Sequence, residues 1–157
     1  MRDRIRRSLG MPLLAVCGLA LLGVPRVVAH DLELVGPVAN SLLVWIPVAV
    51  WLVVVLWCRV PNAFRTLLVI GLAYGMVLGV THQVLWTQAF DEPPSLGGNL
   101  EGVLAPAAES ALLRMFAFLS SLGTGALVGA VTGVVGWLLA KAVPALRPRS
   151  DAGSSVP

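Results

Sequence analysis

The side chains best suited to chemistry in this chain are His82, Arg114 and Ser121. An imidazole can carry a proton or bind a metal, a guanidinium holds anions, and a hydroxyl donates or accepts a hydrogen bond. His82 and Ser121 fall inside runs that otherwise lack Asp, Glu, Lys and Arg, and Arg114 borders one of them. On a helical wheel His82 lies about 20° from Gly71, and Arg114 about 20° from Gly125. Phe118 and Ser121 share the second of these faces. If the two faces meet, His82 stands level with Phe118 and Ser121, with Arg114 above it. Ionisable groups at membrane depth face protein or water. Such a cluster would serve as a proton relay, a ligand site or a metal site. The simpler alternative is a neutral His82 that ties two helices by bonding Ser121 or a backbone carbonyl.

His30 is the other imidazole. Two histidines could bind copper or a haem iron, but these lie on different segments and their spacing gives no support. Asp91, Glu92 and Glu101 form an acidic link that reads as solvated surface. Tyr74 is expected to place its hydroxyl on a neighbouring helix, and Cys17 and Cys58 read as small buried apolar residues without a disulfide. No nucleotide-binding loop, HExxH, GxSxG or EF-hand pattern occurs, and no apolar run contains a carboxylate. Neither an enzyme nor a bound cofactor or metal is expected, and the basic residues lack the aromatic interleaving of a nucleic-acid binder.

The elements that position these residues follow from hydropathy. The chain has 157 residues, 57% of them hydrophobic and 12% charged, against about 25% charged in soluble domains. Residues 34–58, 66–90 and 115–140 carry no Asp, Glu, Lys or Arg. About 25 residues make a helix of roughly 37 Å, enough to cross a hydrocarbon core of about 30 Å. The fold expected is an all-α bundle of four transmembrane helices near 9–29, 37–58, 64–88 and 110–141. An acidic loop spans 87–110, residues 1–143 form a single domain, and 144–157 form a disordered tail. Residues 1–29 also resemble a signal peptide, with a basic start, an apolar stretch and Val27-Val28-Ala29. Cleavage there would leave three spans. Retention is the preferred reading, with Arg26 snorkelling to the outer interface. Pro47 is expected to kink the second span.

Gly71, Gly75 and Gly79 repeat every fourth residue, as do Gly125, Gly129 and Gly133. Small residues at that spacing let helix backbones approach closely. The last two spans should therefore form a hairpin packed along these stripes, with homodimerisation through one stripe as the alternative. Basic residues cluster at Arg2–Arg7, Arg59–Arg65 and Lys141–Arg149, while the other links are acidic. Four spans would place every basic cluster, and both termini, in the cytoplasm. Arg114 alone would lie outside. Ten arginines against one lysine suggest a bacterial chain, and hence its inner membrane.

The role expected is a non-enzymatic structural or accessory membrane component, contacting the lipid bilayer and packing against itself or a larger complex. The runner-up is a small transporter or channel-like protein using His82, Arg114 and Ser121, and a haem- or copper-binding protein ranks third.

Overall fold

The computed structural model describes residues 2–90 and 94–148, and only the backbone of residues 2–5. Its helices are α1 (Arg2–Leu9), α2 (Leu13–Leu21), α3 (Val24–Asp31), α4 (Pro37–Trp57), α5 (Ala63–Val84) and α6 (Pro106–Ala142), with 3₁₀ turns at Gly98–Leu100 and Pro144–Leu146. No strand occurs among the described residues. Four segments are long and apolar enough to cross a membrane: Leu13–Asp31, Pro37–Trp57, Ala63–Val84 and Pro106–Ala142. Large apolar side chains point outward on several of them, with Leu14 85% and Trp57 82% exposed. Such surfaces need lipid rather than water around them, and the chain is a multi-pass membrane protein.

The first span is not the continuous helix expected over 9–29. The basic stretch before it is itself helical, and the chain turns at Gly10, whose φ of 70° suits glycine. Gly10 packs against Val60 and Pro61 at the turn between α4 and α5. A second interruption at Leu22–Gly23 separates α2 from α3. Its cause is Pro25, which has no N–H to offer the carbonyl of Leu21 and whose ring crowds it. Trp51, buried in α4, donates its indole N–H at 2.8 Å to the carbonyl of Leu19, which also accepts the Leu22 N–H at 3.3 Å beside the break. Gly23 has no side chain because the ring of Tyr74 occupies that space.

α5 is the central helix. One face carries Leu67, Ile70, Tyr74 and Leu78 into the apolar core shared with Val16, Ala20, Val27, Trp51 and Val55. The other face is the glycine stripe, which meets the stripe of α6 in an antiparallel seam. A Cβ on Gly75 would lie 2.8 Å from the Ser121 carbonyl, and one on Gly129 would lie 3.0 Å from the Leu67 carbonyl. Gly71 lies against the backbones of Gly125 and Gly129, Gly79 against the Phe118 ring, and Gly133 against Phe64. The expected hairpin is therefore present, and its joint is largely main chain against main chain. In lipid the hydrophobic effect does not drive helices together, so this close dispersion contact does.

Polar contacts lock the ends. Asn62 caps α5 by accepting the Arg65 N–H at 2.9 Å. The Thr66 hydroxyl bonds the Leu9 carbonyl at 2.9 Å, tying α1 to the start of α5. These contacts bring Arg6, Arg7, Arg59 and Arg65 to one end. At the same end Lys141 and Arg147 line a cavity of about 510 Å³ with Pro61 and Asn62. The opposite end holds Asp31, Glu33 and Glu109.

Four local expectations need correction. Cys17 and Cys58 are free and exposed rather than buried, because a small apolar residue is as well placed against lipid as in a core. Tyr74 makes its interhelical contact through its ring, 5.3 Å from that of Trp51, and its hydroxyl has no partner among the described residues. α5 stops at Val84, not near residue 88, and turns through Leu85–Ala89. Of the tail expected to be disordered, residues 144–148 are ordered by a turn at Pro144–Leu146, whereas 149–157, like Asp91 and Glu92, lie outside the described residues.

Candidate functional site

The end of α3 builds the site. Leu34 N–H bonds the Ala29 carbonyl at 2.8 Å and Glu33 N–H bonds that of His30 at 3.1 Å. These paired bonds close the helix with Glu33 in the left-handed region, at a φ of 53°. The closure leaves His30 and Asp31 in the last turn, beside the last turn of α5.

Asp31 is the focus of the site. Its Oδ2 lies 2.7 Å from Nδ1 of His82, and its Oδ1 lies 3.2 Å from Nδ1 of His30. A carboxylate oxygen accepts, so each imidazole donates from Nδ1 and keeps Nε2 as its second ring nitrogen. The Asp31 side chain is 5% exposed, against 32% for His82 and 59% for His30. A carboxylate so deeply placed needs partners to offset its lost hydration, and the two imidazoles supply them. Histidines that look unrelated in sequence thus converge on one carboxylate.

This cluster forms part of the wall of a cavity of about 500 Å³ at the acidic end. Arg26, on the same side of α3 as His30 one turn away, lines it as well. α6 contributes Ser120, Ser121 and Thr124, and α5 contributes Leu78 and His82. Trp86 and Phe90, with ring centroids 5.3 Å apart, line it where the chain leaves α5.

The three residues singled out from sequence do not form one cluster. Ser121 lines the cavity but donates its hydroxyl to the Ala117 carbonyl at 2.9 Å, so it is not the partner of His82. A helical serine readily bonds back to the carbonyl four residues earlier, and the nearby carboxylate takes the imidazole instead. Arg114 is not among the lining residues. Its guanidinium carbon sits 4.9 Å from the Trp86 ring centroid, with Nη1 a long 3.5 Å from both oxygens of Gln83. Gln83 in turn donates to the Arg114 carbonyl at 3.0 Å. Arg114 therefore clamps the end of α5 to α6 through a cation–π contact.

Asp31, Arg26, Ser120 and Thr124 are site residues that the sequence reading missed. Arg26 borders the cavity, and its Nε is buried without a hydrogen-bond partner. The i, i+4 spacing of Arg26 and His30 is the signal that could have found it. Glu109 accepts the Leu96 N–H and folds the link 94–105 onto α6. Among the described residues, no group of three or more His, Cys, Asp and Glu side chains is placed to hold a metal ion. Comparison with protein-family models, with curated proteins and with solved structures finds none that matches this chain.

Proposed function

We propose that this chain is a non-enzymatic structural or accessory component of a bacterial inner membrane, with both termini and the basic end in the cytoplasm. The observation that carries this reading is how its membrane-depth polar groups are used. His82 is bound to Asp31, Gln83 to the backbone of α6, and Trp51 to the backbone of α2. Each joins two helices. Together with the glycine seam they make a stiff frame, which is what a packing component requires. The separation of Arg59, Arg65 and Lys141 from Asp31 and Glu33 supports the orientation, since basic links are retained on the cytoplasmic side. Two experiments test the proposal. Topology reporters at Gly98 and after Pro148 should report outside and inside respectively, and the reverse would reject the orientation. Cross-linking in native membranes through the exposed Cys17 and Cys58 should capture a second copy or a discrete larger complex. A chain that remains monomeric throughout would reject the accessory role.

A second reading, a small transporter or channel-like protein, is favoured by the cavity beside His82. It requires His82→Ala to abolish a solute or proton flux in vesicles while the protein stays folded, and an unchanged flux removes it.

A further inference from the structure

Arg26 lines the cavity at the acidic end together with two carboxylates, Asp31 and Glu33, and forms an ion pair with neither. Arg26 is the third residue of α3, about 7.5 Å below Asp31 along the helix. Asp31 pairs with His30 and with His82, and neither pair includes Arg26. Asp31, the nearer acid of the lining, already gives both oxygens to imidazoles. Glu33, the other, is exposed beyond the end of α3. Arg26 is half-buried, and its Nε is a buried donor without a partner, which an anionic group in the cavity would satisfy.

α6 contributes hydroxyl groups to the same lining. Ser41, Thr81, Ser121 and Thr132 all return their hydroxyls to the carbonyl four residues earlier. Ser120 and Thr124, one turn apart on α6, make no such bond and line the cavity. α6 runs from the acidic end to the basic end, so Thr124 lies deeper than Ser120. Leu78, Ala117, Trp86 and Phe90 supply the apolar remainder. The volume of about 500 Å³ falls within the range of small-molecule sites, about 300–1,000 Å³.

We infer that this cavity binds an amphipathic anion, its carboxylate or phosphate head on Arg26, Ser120 and Thr124 and its apolar body toward Trp86 and Phe90. A free organic acid and the head of an anionic lipid share this chemistry. The site goes beyond the packing role proposed above, and neither depends on the other.

The test uses the full chain in phosphatidylcholine nanodiscs, with hexanoate and inorganic phosphate as probes. Binding is read by saturation-transfer NMR and by the rise in melting temperature. Hexanoate should bind the wild type, bind Arg26→Gln at least about tenfold more weakly, as expected for a lost bond to a charged group, and be partly restored by Arg26→Lys. Unliganded Arg26→Gln should melt no lower than the wild type, because an unpaired charge has been removed. Phosphatidylglycerol in the nanodisc separates the sources. Weaker hexanoate binding in its presence, for the wild type only, identifies a lipid head as occupant, and unchanged binding identifies a free acid. Should Arg26→Gln fail to fold, Ser120→Ala/Thr124→Val serves instead, and should weaken hexanoate without lowering the unliganded melting temperature. The inference is overturned if hexanoate, phosphate and phosphatidylglycerol all leave the wild type unaffected. It is equally overturned if the variants bind as the wild type does.

Discussion

His82 and Asp31, 51 residues apart in the chain, meet at 2.7 Å where the last turns of α5 and α3 lie side by side. The contact joins the central helix to the short helix after the break in the first span, and the carboxylate is nearly sealed from solvent.

Removing the imidazole should therefore harm the fold more than removing both partners. His82→Ala leaves the Asp31 carboxylate short of one donor and is expected to destabilise by about 1–3 kcal/mol. Asp31→Ala in the same background should recover part of that loss, a positive coupling in a double-mutant cycle. Thermal denaturation in nanodiscs measures it. Strictly additive losses would mean that the two side chains do not interact.

Two glycines of α6, two residues apart, should respond in opposite directions. A methyl on Gly123 meets open space, whereas one on Gly125 would stand 2.6 Å from the Gly75 nitrogen. Gly123→Ala is expected to stabilise the helix by about 0.5–1 kcal/mol, and Gly125→Ala to destabilise by about 1–3 kcal/mol through overpacking against backbone. Gly75→Ile and Gly129→Ile should separate the hairpin altogether. Equal tolerance at both positions, read by denaturant melts, would contradict the seam.

Trp51→Phe keeps a ring against Tyr74 but withdraws the N–H from the Leu19 carbonyl. The expected cost is about 1 kcal/mol. Amide exchange should quicken around Leu22 and Gly23 before it does in α5. Unchanged protection at those amides would show that the indole does not support the break.

Glu33 holds a left-handed conformation that disfavours a side chain by about 1–2 kcal/mol. Glu33→Gly should raise the melting temperature while leaving the His82–Asp31 contact in place. A lower melting temperature would show that the carboxylate of Glu33 contributes more than its backbone geometry costs.

The crossing segments were legible because a bilayer imposes its thickness on any span, whatever the tertiary contacts. The seam was legible because Gly71, Gly75 and Gly79 recur on one helix face and leave no side chain to separate it from a partner. Asp31 was not. Its role depends on where α3 ends and on how α3 sits beside α5, and neither is encoded within a few residues of it. Arg26 was hidden for a related reason. The interruption at Leu22–Gly23 resets the helical phase, so faces read across an unbroken helix no longer apply after it. Cys17 and Cys58 illustrate a third limit, since apolarity alone does not separate a lipid-facing position from a core one.

The joint between α5 and α6 is built from peptide groups, and peptide groups have no rotamers to flip. The two helices must consequently travel as one rigid rod pair, and the recesses at their opposite ends stay divided unless the whole pair slides or parts. Access beside His82 is therefore set by the walls that α3 and the turn after α5 build, not by the seam.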